Sequence, residues 1–155
     1  MKLDVGCGFN KEDGYIGIDI QDRDGVDIVH DLEVFPWPIK DEECEQVHCS
    51  HIAEHIKPWL QMDFFNEIWR IMKPGGVMQL NVPYAGCHGD IQDPTHCTSW
   101  NELTWYYYDP EFPWYEMYQP KPWKCTEQTT LRAMVAGRPT GAIQALNHVM
   151  TKIAP

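Results

Sequence analysis

Positive charge is scarce in this chain: 12 Lys and Arg stand against 23 Asp and Glu, for a net charge of −11. A nucleic-acid backbone is held through clustered Lys and Arg, so no nucleic-acid partner is expected. No apolar run approaches the roughly 18 residues of a membrane-spanning helix, and no charged-then-apolar leader opens the chain. The expectation is a soluble, cytoplasmic protein with no membrane partner. The 6 cysteines (Cys7, Cys44, Cys49, Cys87, Cys97 and Cys125) include no C-x-x-C pair, which fits reduced thiols in a cytosol better than a disulfide framework. At 155 residues there is room for one domain with one core and not for two.

Helical length is also missing where a parallel fold most needs it. Leu3-Asp4-Val5-Gly6-Cys7-Gly8 reads as a short buried strand entering a turn that two glycines make tight. Glycine there allows φ > 0 and lets a ligand approach without a Cβ in the way. The next apolar run, Tyr15-Ile16-Gly17-Ile18-Asp19-Ile20, follows after only the 6 residues 9–14. A parallel crossover usually takes a dozen or more, so the two strands form either a cut-down crossover or a hairpin.

Strand signals continue with Val26-Asp27-Ile28-Val29-His30-Asp31-Leu32 and, beyond the extended Phe35-Pro36-Trp37-Pro38, with Gln46-Val47-His48-Cys49-Ser50-His51. Helical spacing then places Ile52, Ile56, Trp59 and Leu60 on one side, with Pro58 interrupting. A helix over residues 62–72 is predicted from Phe64, Phe65, Ile68, Trp69, Ile71 and Met72 at intervals of three and four. Lys73-Pro74-Gly75-Gly76 stops it, and Val77-Met78-Gln79-Leu80-Asn81-Val82-Pro83 is the fifth strand. Strands that end on acids, with a helix before the last, are the pattern of a mostly parallel Rossmann-like α/β sheet. Residues 84–122 have little periodicity, and 127–137 and 140–153 read as helices from their good helix formers. The expected division is a single domain with a cofactor-binding core over 1–83 and a substrate or lid segment plus irregular C-terminal third over 84–155.

Over residues 2–83 the chain resembles the class I S-adenosylmethionine-dependent methyltransferases, in particular their small-molecule branch. Leu3-Asp4-Val5-Gly6-Cys7-Gly8 is similar to their first motif, and Asp31-Leu32 to the pair beside the adenine. Val47 to Ile56, V-H-C-S-H-I-A-E-H-I, resembles their fourth strand and "S-x-VLEH" segment. Phe65 to Gly76 is close to "L-x-E-I-x-R-V-L-K-P-G-G". The resemblance implies S-adenosyl-L-methionine as methyl donor. Asp4 and the backbones of Gly6 and Gly8 would hold its methionine end, Asp19 its ribose, and Asp31 with Leu32 its adenine; Ser50 would border the site. It also implies a small-molecule acceptor and a lid drawn from 84–122 or from another copy in a homo-oligomer. The first crossover departs from the family by lacking its helix.

Methyl transfer from a sulfonium is an in-line displacement that needs alignment, water exclusion and sometimes a base. His51 is the first candidate base, followed by His96 and His88. Two other readings stay open: a methyltransferase-like interaction domain without catalysis, and a zinc hydrolase using His51, Glu54 and His55 in the H-x-x-E-H pattern. A second group, Cys87-His88 with His96-Cys97, matches no zinc module, and no resident metal is expected. The aromatic run Trp100, Trp105, Tyr106, Tyr107, Tyr108, Trp114 and Tyr115 reads as core or oligomer surface before it reads as a substrate wall.

Overall fold

A computed structural model describes residues 1–135 and 138–154. Seven strands form one sheet: β1 (Lys2–Val5), β2 (Ile16–Asp19), β3 (Ile28–Val29), β4 (Cys44–Ser50), β5 (Met72–Pro83), β6 (Trp123–Val135) and β7 (Arg138–Lys152). Their spatial order is β3-β2-β1-β4-β5-β7-β6. The pairs from β3 through β5 are parallel, and β7 runs antiparallel to both its neighbours. The order reverses between β1 and β4, which sets a crevice at the carboxyl ends of those two strands.

Leu3 stands opposite Ile16 in a parallel pair, so the first connection is the cut-down crossover and not the hairpin. Four-residue strands rise only about 13 Å, a distance that the ten residues 6–15 can retrace without a helix. The connections on to β3 and β4 likewise lack an α-helix. The crossover from β4 to β5 carries α1 (Gln61–Ile71), close to the helix predicted over 62–72. Its Phe64, Phe65, Ile68 and Ile71 share one buried cluster with Leu3, Val5, Val47, Cys49, Met78, Leu80 and Val82.

The opposite face of the sheet is polar and half-exposed. Gln46, Val77 and Thr151 form one cross-strand row, His48, Gln79 and Val149 the next, and Ser50, Asn81 and Asn147 the third. Partners directly opposite one another point to the same face. Tyr15 leans over this surface, its ring edge-on to His48 with centroids 6.3 Å apart and its hydroxyl 3.2 Å from Gln46 Oε1.

Three sequence expectations need correction. Residues 52–60 form no α-helix: Ala53–His55 and Pro58–Leu60 are single 3₁₀ turns, because Pro58 removes the donor a continuous helix would need. Within the stretches 127–137 and 140–153 the described residues up to Val135 and from Thr140 to Lys152 belong to strands, β6 and β7, paired from Trp123 opposite Lys152 onward; Ala136 and Gly137 lie outside the described residues. Helix propensity there yields to sheet pairing, since Leu146, His148 and Met150 are buried while Asn147, Val149 and Thr151, alternating with them, are only half-buried. The C-terminal third is therefore irregular only up to Pro122.

Within 84–122 lie α2 (His88–Gln92) and two 3₁₀ turns, Thr104–Tyr107 and Pro113–Met117. Trp100, Trp105 and Tyr108 are buried, and each meets the Phe65 ring edge-on with centroids 5.0–5.7 Å apart. This part of the aromatic run is core, fastening the segment onto α1; Trp114 stays at the surface. No helix among the described residues is long and apolar enough to cross a membrane.

Candidate functional site

Two cavities meet at the carboxyl ends of the parallel strands. The first, about 430 Å³, is lined by Gly6, Asp19, Ile20, Asp31, Leu32, Glu33, Ile52, His55, Ile56, Lys57 and Cys97. The second, about 410 Å³, is lined by His51, Glu54, His55, Pro83, Gly89, Gln92, Asp93, His96, Gln144 and Ala145. His55 belongs to both walls.

The glycine loop is shaped by backbone. Gly6 and Gly8 have φ of +68° and +53°, the left-handed region that an L side chain rarely adopts. The Gly6 and Cys7 amides donate to the Ile18 carbonyl at 2.8 and 3.3 Å. Asp19 ties this loop to β2: its Oδ2 accepts from the Gly8 amide at 3.0 Å and its Oδ1 from the Gln21 amide at 2.9 Å. Asp31 Oδ1 accepts from the Glu33 amide at 2.9 Å, closing the turn after β3. Glu33 in turn holds Lys57 through the backbone amide at 2.9 Å and through an ion pair.

The wall behind Asp31 and Leu32 is set by α1. Glu67 Oε1 accepts from the Trp37 amide at 2.6 Å and from Arg70 Nη2 at 2.6 Å. Arg70 Nη2 also donates to the Ile39 carbonyl at 2.9 Å, and Trp37 Nε1 to the Leu32 carbonyl at 3.2 Å. The Glu and Arg of the E-I-x-R stretch thus hold the 32–39 loop in place.

The remaining candidates lie elsewhere. The buried Asp4 carboxylate accepts from the Glu12 amide at 2.8 Å and does not line the first cavity; burial pushes its pKa up. Gly8 meets the cavity only through Asp19. Ser50 is on the polar face of the sheet, bordering a separate trough with His48, Gln79 and Asn81, because strand alternation sends Cys49 to the core and Ser50 the other way. His88 is exposed and lines neither cavity.

His51 and His96 both line the second cavity. His51 sits just past β4 with φ of +55°, and its Nδ1 is 3.3 Å from Glu54 Oε1. That contact raises the His51 pKa against the opposing effect of partial burial. The 53–56 turn is clamped by Gln61 Nε2, which donates to the Ala53 and Ile56 carbonyls at 2.6 and 2.9 Å. The Glu54 carbonyl in turn accepts from the Cys97 amide at 2.7 Å. Sequence reasoning passed over Ile20, Ile52, Ile56, Lys57 and Cys97; the Val47–Ile56 motif pointed at the region without saying which of its residues turn inward.

No family model and no curated protein matches the sequence. Solved structures do match its fold. A SAM-dependent methyltransferase from Archaeoglobus fulgidus superposes with a TM-score of 0.67 at 18% identity, over 97% of this chain and 85% of that one. A SAM-dependent methyltransferase from Methanosarcina mazei gives 0.65 at 13% identity, over 99% and 92%. The [4+2]-cyclase SpnF gives 0.64 at 12% identity, over 99% and 74%. The fold is therefore the Rossmann-like methyltransferase fold, and the cyclase match places other chemistry on the same scaffold, so activity has to be argued from the site.

Proposed function

We propose that the chain binds S-adenosyl-L-methionine in the first cavity and transfers its methyl group to a small molecule held in the second. One observation carries the reading: Gly6, Asp19, Asp31 and Leu32, from three separate strand-end loops, line a single cavity that shares His55 with a neighbouring one. The chemistry agrees. A carboxylate can accept two hydrogen bonds side by side, which suits Asp19 to a ribose diol and Asp31 to an adenine amino group. The cavity holds three carboxylates against the single Lys57, a balance that favours a sulfonium cation. Its volume lies within the range of roughly 300–1,000 Å³ typical of small-molecule sites.

The acceptor would lie between His51, His96 and the loop carrying Gly89 and Asp93. His51, braced by the buried Glu54 carboxylate, would take the proton of a hydroxyl or amine nucleophile as the methyl group moves in line. Asp4, and Gly8 through its bond to Asp19, would shape the loop rather than touch the ligand. His88 would take no part. A homo-oligomer is compatible with this arrangement and is not needed by it, since Gly89, Gln92, Asp93 and His96 of the same chain border the acceptor cavity.

Calorimetric titration with S-adenosylhomocysteine tests the reading. Saturable binding near one equivalent, weakened in Asp31→Ala with folding unchanged, is expected. Absence of saturable heat at the highest soluble ligand concentration would leave the interaction-domain reading in its place.

A further inference from the structure

Glu54, His55 and His96 each bring a donor atom within 4.8 Å of the other two. The first two are consecutive on the 3₁₀ turn after β4, and His96 arrives from the 84–122 segment more than forty residues later. The His55 and His96 rings meet edge to face with centroids 4.6 Å apart.

Hydrogen bonding fixes which atoms are free. Thr95 Oγ1 already donates to Asp93 Oδ1 at 2.7 Å, so towards His55 Nδ1, 3.0 Å away, it accepts, and the proton sits on Nδ1. His96 Nδ1 faces the Asp90 carbonyl at 2.9 Å and must also carry its proton. Each ring is thus left with an unprotonated Nε2 bearing its lone pair; the nearest carboxylate oxygen to that of His96, Asp93 Oδ2, is 4.0 Å off, beyond hydrogen-bond reach. The carboxylate makes the third donor. Glu54 is 1% exposed, its Oε1 faces His51, and its Oε2 is buried without any hydrogen-bond partner. A buried carboxylate oxygen left unpaired is costly unless a cation completes it.

We propose that Glu54 Oε2, His55 Nε2 and His96 Nε2 form a site for one divalent transition-metal ion of the zinc type, at the junction of the two cavities. Two imidazoles and a carboxylate are a donor set for Zn²⁺ or a similar first-row ion with positions left open. The outer bonds are those a metal site requires: each ligating ring donates its second N–H to a fixed oxygen, which sets the tautomer. At metal–ligand distances of about 2.0–2.2 Å small side-chain rotations close the spacing. Glu54 and His55 belong to the H-x-x-E-H stretch, but the third donor is His96 and not His51, because a 3₁₀ turn does not hold residues four apart on one face as an α-helix does. The open positions of the ion face the second cavity, where it would hold an oxygen of the bound molecule and polarise it; that last step rests on the acceptor reading above.

The test is Co²⁺ titration into chelator-stripped full-length protein, followed by visible absorption and by Zn²⁺ competition. One equivalent with a ligand-field band is expected, and the band disappears in Glu54→Gln and in His96→Ala. Thr95→Ala, which removes only the outer bond to His55, weakens uptake about tenfold or more, and the exposed His88→Ala leaves it unchanged. Two-bond ¹H–¹⁵N spectra of the wild-type imidazoles need no variant: Zn²⁺ is expected to shift two Nε2 resonances. No stoichiometric uptake, uptake that survives both ligand variants, or unmoved Nε2 resonances would overturn the site. S-adenosylhomocysteine titrated into the metal-free protein fails or succeeds on its own, which separates this proposal from the cofactor reading.

Discussion

A Cβ added to Gly6 would stand 2.6 Å from Cγ1 of Ile52. The glycine loop and the segment after β4 therefore touch where a side chain would have been, and this close approach shapes the floor of the first cavity. Gly6→Ala combines a left-handed backbone strain of about 1–2 kcal/mol with the cost of forcing Ile52 aside. We expect a loss of about 3 kcal/mol in stability and of most affinity for S-adenosylhomocysteine. Denaturant melts should find Gly6→Ala/Ile52→Ala less destabilised than the two singles added together, by about 1–2 kcal/mol. Strict additivity would mean that the contact plays no part.

Asp31→Asn keeps an oxygen for the Glu33 amide but loses the charge. Its melting behaviour should match that of the parent. Affinity for S-adenosylhomocysteine should fall about tenfold, the difference of about 1.4 kcal/mol between a charged and a neutral acceptor. Unaltered calorimetric affinity would remove Asp31 from the ligand's contacts.

Glu67→Gln should cost about 2 kcal/mol in chemical denaturation, because it strips a buried carboxylate from both Arg70 and the Trp37 amide. The opposite end of the same arginine pairs with Asp41, whose side chain is 76% exposed, and Asp41→Asn should change stability by less than about 0.5 kcal/mol. Equal effects of the two would contradict the packing described for the 32–39 loop.

His148 is 1% exposed, stacked on Trp105 with centroids 6.1 Å apart, and its Nε2 lacks a hydrogen-bond partner. Burial lowers its pKa to about 4. Because the folded value lies below the unfolded value of about 6.5, the unfolded chain takes up the proton first as pH falls. Stability from this residue is thus complete above pH 6.5 and is lost between about 6.5 and 4, by about 3 kcal/mol in all. Denaturant midpoints measured across that window should drop, and should drop less steeply in His148→Phe. The same slope in both proteins would assign the pH dependence to other groups.

Some of this was legible in the residues and some was not. Local chemistry shows through directly: Gly6 and Gly8 adopt the positive φ their turn called for, and the three-and-four spacing from Phe64 to Ile71 marks α1. Strand-end acids are likewise visible, and Asp19 and Asp31 do face one cavity. Ser50 misleads because the face a strand residue takes depends on register, which the motif does not carry. The stretches 127–137 and 140–153 mislead because Glu, Gln, Leu and Ala are good helix formers, and only the pairing of β7 with β5 and of β6 with β7 decides for strands. His96 meeting Glu54 and His55 depends on how an irregular forty-residue segment returns to the sheet, and no periodicity records that path.

The shortness of the first three strands has a consequence for motion. The strands β1, β2 and β3 are four, four and two residues long, joined by loops without α-helices, and the outermost of them, β3, has no buried residue. Such an edge opens locally at less free energy than the longer β4, β5, β6 and β7, so its amides will exchange with solvent deuterium ahead of the rest of the sheet. A ligand that contacts the Gly6, Asp19 and Asp31 loops together would join this early-opening edge to the slow-exchanging half. Its arrival would be recorded as deuterium protection in strands that it never touches.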